Sequence, residues 1–348
     1  MITLAIDTSC DETSVAVVDG VRILSNVVST QVRYHKKYGG VVPFLAQRLH
    51  GERIAAVTEL ALSRSKLDWS SLDSIAVTQG PGLAPALQVG IAYAKELAIT
   101  HGKPLYAVNH MAGHIASCLA ASGKTVPVVS YPAIAVLVSG GHTEFVYMER
   151  FGWFKLIGQT LDDALGEAYD KVAKLLGLGY PGGPIVAKLA EVGMTDRYNL
   201  PIPMQASKDL NISYSGLKNA VRLLVEGLRA RDELDSTAIA NVCASFQYVA
   251  QKALLIKLEK ALLRYPDVQS VLLGGGVAAN TRLRWQIRLL TRQRSLKFFV
   301  PPVMKLCADN AAMIGIAANL NAGIGQAPSD IQRMDRIPNL KIDDQLTF

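Results

Sequence analysis

Ile2-Thr3-Leu4-Ala5-Ile6-Asp7-Thr8-Ser9-Cys10-Asp11-Glu12-Thr13-Ser14-Val15-Ala16-Val17-Val18-Asp19 is the stretch on which the fold turns. Residues 2–7 and 14–19 are apolar and β-branched enough to read as two strands. Between them runs a turn crowded with small hydroxyls and carboxylates. Such a turn suits a phosphate or a metal–phosphate, although it also reads as an ordinary polar turn. A third strand around Ile23–Ser29 completes a meander. The same pattern returns at Pro132–Tyr147, where a strand runs into Ser139-Gly140-Gly141-His142-Thr143 and a strand comes back. Glycines there let the backbone approach a ligand closely, because no Cβ stands in the way. Two βββα-type lobes, each opening on a ligand-facing hairpin, predict a duplicated α/β architecture with a cleft between the lobes.

Outward from the first hairpin, Gly39-Gly40-Val41-Val42-Pro43 breaks the chain before a helix over 43–65. A buried strand at Ser74–Thr78 ends in Gln79-Gly80-Pro81-Gly82, which opens a helix over 84–100. That junction reads either as backbone N–H groups offered to a ligand or as a plain strand-to-helix turn. Residues 103–108 then form a strand that hands over to Asn109-His110-Met111-Ala112-Gly113-His114. Histidines four apart on a helix share one side, about one turn apart, and ligand crevices lie beyond the carboxyl ends of such strands. The pair reads equally as metal ligands or as helix decoration. Asp309, at the start of a helix over 309–321, reads as a helix cap or as a third ligand.

In the second half, Thr160 is expected to cap a helix with Asp163 as its box partner, which puts Asp170 on the helix body. A long amphipathic helix is expected over 237–264. Val271-Leu272-Leu273-Gly274-Gly275-Gly276 brings a buried strand to three consecutive glycines, with Asn280 opening the next helix. A phosphate or nucleotide contact is the favoured reading of that run. The helix after it carries Arg282, Arg284, Arg288, Arg292 and Arg294, then Lys297. This is either a solvated basic face or a surface for an RNA backbone.

The totals set the class. The 348 residues are 50% hydrophobic and 19% charged, enough for two domains with a core each. No apolar run approaches the roughly 18 residues of a membrane span, and no signal peptide is evident, so a cytoplasmic protein is expected. Cys10, Cys118, Cys243 and Cys307 are scattered, as suits reduced thiols. A net charge of +7 makes a polyanion such as RNA a fair partner.

Together these segments resemble the TsaD family of tRNA N6-adenosine threonylcarbamoyltransferases, once labelled glycoproteases. The match runs in order through Asp7–Thr13, Tyr38–Pro43, Gly80–Leu83, Asn109–His114, Leu137–Glu144, Asp162–Lys171, Tyr180–Pro184, Ser213–Lys218, Gly274–Asn280 and Cys307–Ile314. It covers about residues 1–322. The resemblance implies the actin/hexokinase-like (ASKHA) fold, with two ribonuclease-H-like lobes around a nucleotide cleft. Residues 1–125 and a returning helix at about 306–325 would form the first lobe, 126–305 the second, and 326–348 a tail. In that fold the last helix brings Asp309 beside the histidines, so that His110, His114 and Asp309 would bind one divalent metal, iron first and zinc second. Two histidines and one carboxylate leave coordination positions open to a substrate. The substrate contacts carried over are Leu137, Val138, Ser139, Gly140, Gly141, Asp170, Gly183 and Asn280. Asp11 or Glu12 would accept the N6 proton or orient the acceptor.

The reaction implied moves a threonylcarbamoyl group from threonylcarbamoyl-AMP to N6 of the adenosine beside the anticodon in tRNAs reading ANN codons. A TsaB-like paralogue and a TsaE-like ATPase would be partners, and no membrane is involved. The chain departs from the family at Ala187, often an acid, at Phe44 in a segment often read as Pro-Glu-Leu-Ala, and at Ala84-Pro85. Against a metallopeptidase stands the absence of a glutamate inside His110-Met111-Ala112-Gly113-His114, where a zincin needs one. A kinase or ATPase of the same fold would use Mg²⁺ and carboxylates without a histidine pair. A scaffolding paralogue would be expected to lose the triad, which this chain keeps.

Overall fold

The structure is a computed structural model, and it describes residues 1–344; the last four residues of the expected tail, 345–348, lie outside the described residues. The chain divides into two compact units. The first comprises Met1–Ala133, Met148–Lys155 and the chain from Phe299 onward; the second comprises Ile134–Tyr147 and Leu156–Phe298.

In the first unit β1 (Ile2–Asp7) and β2 (Glu12–Asp19) form the expected hairpin, and β3 (Arg22–Thr30) completes the meander. A short α1 (Val32–His35) leads to α2 (Pro43–Ser65), which starts on Pro43 where a missing N–H costs nothing. β4 (Ser74–Gly80), α3 (Ala84–His101), β5 (Leu105–Asn109) and α4 (His110–Ser117) follow. The strands are ordered β3-β2-β1-β4-β5; β1 and β2 run antiparallel, while β4 runs parallel to both β1 and β5.

Alternation along β1 decides which way each side chain faces. Leu4 and Ile6 enter a core with α2 and α3, through Ile54, Val57, Leu87 and Ile91. Ala5 faces the other way. There the last helix of the chain lies so close that a Cβ on its Gly315 would stand 3.0 Å from the Ala5 Cβ and 2.6 Å from Val18 Cγ2. Asp7 has the parity of Ala5, so it is directed to that second face.

The second unit is built on β6 (Ala133–Val138), β7 (Thr143–Arg150) and β8 (Trp153–Gln159), then α5 (Leu165–Leu175), α6 (Gly182–Ala190), α7 (Ser215–Ala230), α8 (Ser236–Arg264), β9 (Ser270–Gly274), α9 (Thr281–Gln293) and β10 (Lys297–Phe299). Its strand order, β10-β9-β6-β7-β8, repeats the connectivity of the first sheet. The duplication foreseen from the two hairpins is therefore present in both sheets.

α10 (Ala311–Gly323) returns to the first sheet and packs on β1, β2 and α4. Beyond it the chain continues as a strap. Ile337 donates its N–H to the Gln79 carbonyl, Gly82 donates to the Pro338 carbonyl, and Met334, Leu340 and Ile342 are buried.

Two local expectations fail. Thr160 caps nothing: α5 starts at Leu165 after Ala164, Thr160 Oγ1 donates to the Asp163 carbonyl, and Asp163 is instead paired with Lys171 and Lys218. Asp309 is not the cap of the last helix either. Asn310 takes that place, its Oδ1 accepting from Met313 N.

Candidate metal centre and nucleotide pocket

Asn109 sets the first site. Its Oδ1 accepts from the backbone N–H groups of Met111 and Ala112, so α4 opens at once on His110, and its Nδ2 donates to the Lys341 carbonyl of the strap. His110 and His114 then stack edge to face, with ring centroids 4.7 Å apart. Asp309 arrives from the other end of the chain because Asn310 carries the capping bond. Ser14 Oγ, accepting from Ala311 N at 2.8 Å, ties the start of α10 to β2. Asp309 Oδ1 stands 3.4 Å from Nε2 of each histidine.

This spacing fits a metal. Nε2 of His114 is buried and makes no hydrogen bond in spite of the nearby carboxylate, and Nδ1 of both rings is buried without a hydrogen bond. Donor atoms from His110, His114 and Asp309 all lie within 4.8 Å of one another. Bonds of about 2.0–2.1 Å to one tetrahedral ion set its ligands about 3.4 Å apart, which is the separation found here between the carboxylate and each imidazole.

The carboxylates dominate the local electrostatics. Burial opposes a charge on His110, but Asp309 and Asp7 outweigh it and raise its pKa to about 10. Burial and the neighbouring His110 lower that of His114, and burial of Asp309 is overcome by the two imidazoles, which hold its carboxyl well below the usual range. Glu12, at the head of β2, receives a hydrogen bond from Thr30 Oγ1 at 3.3 Å; burial, with Asp11 and Asp309 beside it, raises its pKa well above the ordinary value. Asp11 Oδ2 is buried without a partner. Asp7, which the sequence reading gave no role, is the surprise: its side chain lies behind His110.

The second site is a cavity of about 840 Å³ within the second unit. Gly140, Asp170, Gly183 and Asn280 line it, as does Ala187. Asp170 Oδ1 accepts from the N–H groups of Gly182 and Gly183, which brings the first turn of α6 to the cavity; burial raises its pKa. Asn280 caps α9 through Leu283 N, donates to Gln247 Oε1 at 2.8 Å and accepts from Gln251 Nε2. Tyr169 bonds both glutamines. Gln247 and Gln251, one turn apart on the buried face of α8, were missed; the signal was there, as two long amides at helical spacing in an alanine-rich run.

The remaining expected contacts divide. Leu137 and Val138 are fully buried in β6. The Ser139 N–H is engaged by the His142 carbonyl, and its own carbonyl accepts from Gly166 N. Gly140, Gly141 and Gly183 have open space where a Cβ would stand. The glycine run proves partly structural. Gly275, at φ +92°, has the Val138 carbonyl oxygen 2.4 Å from where its Cβ would be, whereas Gly276 is open and lines the cavity. The Gly80-Pro81-Gly82 turn is likewise a packing device, with Gly80 beneath the Ile337 carbonyl and Gly82 against that of Ser9.

Comparison with known proteins agrees. The family model for TsaD, tRNA N6-adenosine threonylcarbamoyltransferase, matches residues 22–316. The chain is 44% identical to the tRNA N6-adenosine threonylcarbamoyltransferase of Thermosipho africanus (strain TCF52B) over 98% of its own length and 100% of the relative's. It is 45% identical to that of Dictyoglomus turgidum (strain DSM 6724 / Z-1310), over 91% of this chain and 92% of the other. Among solved structures, full-length HypF in its phosphate- and nucleotide-bound form superposes with a TM-score of 0.60 at 14% identity, covering 93% of this chain and 56% of that one. That likeness is one of fold, and the fold is the ASKHA fold.

Proposed function

The chain belongs to the TsaD family of tRNA N6-adenosine threonylcarbamoyltransferases, and from that premise we propose how its residues divide the work. It is a transferase that modifies tRNA. The donor is threonylcarbamoyl-AMP and the acceptor is the adenosine beside the anticodon in tRNAs reading ANN codons.

His110, His114 and Asp309 would hold one divalent cation, iron by preference and zinc as the alternative, since two imidazoles and a carboxylate suit either. Such an ion would supply Lewis acidity toward the carbamoyl and phosphate oxygens of the donor. The AMP half belongs in the cavity of the second unit, against Gly140, Asp170, Gly183 and Asn280; Leu137, Val138, Ser139 and Gly141 support that wall. Glu12 takes the N6 proton as the new bond forms. Its raised pKa matches that task, because a base works best when its pKa approaches the operating pH. Asp11 beside it orients the acceptor amine. No protein nucleophile is needed, for the donor is already an activated mixed anhydride.

A TsaB-like paralogue and a TsaE-like ATPase complete the working assembly, in the cytoplasm; among the described residues no helix is long and apolar enough to cross a membrane. The convergence of His110, His114 and Asp309 carries the reading. A peptidase is disfavoured, because Met111 stands where the general base of a zincin's H-E-x-x-H is needed. The test is to incubate the purified chain and its partners with threonylcarbamoyl-AMP and unmodified tRNA, then digest the tRNA and look for N6-threonylcarbamoyladenosine by mass spectrometry. Absence of the modified nucleoside would overturn the donor and site assignments.

A further inference from the structure

No acidic residue occurs between Asp19 and Glu52, while Arg22, Arg33, Lys36, Lys37 and Arg48 do. Within that stretch, α1 and the turn after it place cations against rings. The guanidinium groups of Arg33 and Arg53 lie 4.8 and 4.9 Å from the centre of the Tyr34 ring, and Lys37 Nζ lies 4.9 Å from that of Tyr38. Tyr38 is 56% exposed and Phe44, in the first turn of α2, is 77% exposed. Neither ring contributes to the core.

We propose that Tyr34, Tyr38 and Phe44, with Arg33, Lys36 and Lys37, form the surface on which unpaired bases of the substrate tRNA's anticodon loop stack. Exposed rings interleaved with cations are what a single strand needs: base faces stack on the rings while phosphates meet the charges. A duplex hides its base faces and would use the charges alone. The patch is also joined to the reacting end of the first unit. Arg53, one of the cations on Tyr34, donates to the Thr30 carbonyl at 3.3 Å, and Thr30 Oγ1 donates to Glu12 Oε1. The Tyr34 end of this surface is therefore tied through Arg53 and Thr30 to the strand end that carries Glu12. The inference rests on the tRNA reading and adds to it the place where the loop is held.

The test uses the full chain and two RNA probes, an unmodified anticodon stem–loop hairpin and a blunt duplex of equal length, with binding followed by fluorescence anisotropy. Tyr38→Ala and Phe44→Ala are expected to weaken hairpin binding about tenfold each, on the scale of a lost base–aromatic stack, and to leave duplex binding unchanged. Lys36→Ala and Lys37→Ala should weaken both probes and lower the salt dependence by about one unit each. Phe44→Tyr should restore the hairpin affinity. Both ring positions are exposed, so unchanged melting curves confirm that the variants fold. Hairpin binding that survives loss of the rings overturns the inference, as does equal weakening of hairpin and duplex, failure of the wild-type chain to bind the hairpin, or loss of a protein partner instead of RNA. The transfer assay separates the two readings: wild-type protein that modifies full-length tRNA while the ring variants bind normally removes this surface and leaves the reaction standing.

Discussion

Asp7 Oδ1 lies 3.7 Å from Nδ1 of His110, on the ring edge opposite the one that faces Asp309. Asp7 is held there by Ser9 N and Thr78 Oγ1, which both donate to its Oδ1. A carboxylate behind a ligating imidazole fixes the tautomer and strengthens the ligand; removing it commonly lowers metal affinity about 10–100-fold. Asp7→Asn keeps an acceptor for both donors but loses the charge. Titration against a chromophoric chelator should show that drop in Zn²⁺ affinity with little change in Tm. An unaltered affinity would make Asp7 a strand-end anchor only.

Glu12→Gln keeps an acceptor for the Thr30 hydroxyl but cannot take a proton. Transfer should fall about 10²–10⁴-fold, the usual contribution of a positioned base, and Glu12→Ala should abolish it. Elemental analysis should find the metal content of both variants at the wild-type level. Loss of metal would assign Glu12 to the metal's ligand set.

Asn280 serves helix and cavity with different atoms. Asn280→Ala should cost about 1 kcal/mol for the lost cap and should also raise the KM for the donor. Asn280→Asp keeps the acceptor for Leu283 N but loses the donor to Gln247. Its thermal stability should stay closer to wild type while its KM still rises. A wild-type KM in Asn280→Asp would show the cap to be the whole role.

Gly275→Ala places a methyl group against the Val138 carbonyl at a backbone angle that L-residues avoid. Overpacking and the left-handed strain together predict about 2–4 kcal/mol of destabilisation. Urea unfolding measures it. Gly276→Ala, with open space around it, should unfold near wild type and report its effect in donor binding instead.

His50 gives the pH dependence. Thr13 Oγ1 and the Cys10 carbonyl bond its two ring nitrogens, and burial lowers its pKa. The folded protein keeps the ring neutral where the unfolded chain, near pKa 6.5, takes up a proton. Its contribution is complete above about pH 6.5 and is lost as the pH falls through the lowered folded value. Between about pH 7 and 5 the Tm of the wild type should fall more steeply than that of His50→Gln. Parallel slopes would remove His50 as a source.

Much of this was legible in the sequence, because the features that carry the fold are local. The period-two runs of β1 and β2, the helix opened by Pro43 and the histidine spacing each sit within one element. What escaped depends on partners far apart in the chain. Asp7 reads as the polar end of a strand until the parity of β1 and the approach of α4 put it behind His110. Gln247 and Gln251 look like surface positions of an amphipathic helix until Asn280 and Tyr169 meet them. Asp309 and Asn310 compete for one capping role, and the bond from Ser14 to Ala311 helps to settle it, a contact that no window of local sequence contains. The glycine run failed in part for the same reason, since Gly275 answers to the Val138 carbonyl on a neighbouring strand.

Because α10 returns to the first sheet, the three candidate metal donors are drawn from positions about 195 residues apart in sequence, with His110 and His114 made long before Asp309. A nascent chain still short of its last helix carries both histidines but not the carboxylate that closes the triad. Any metal held by this triad could therefore be loaded only once synthesis is nearly complete, and a product truncated before Asp309 would lack one of the three donors.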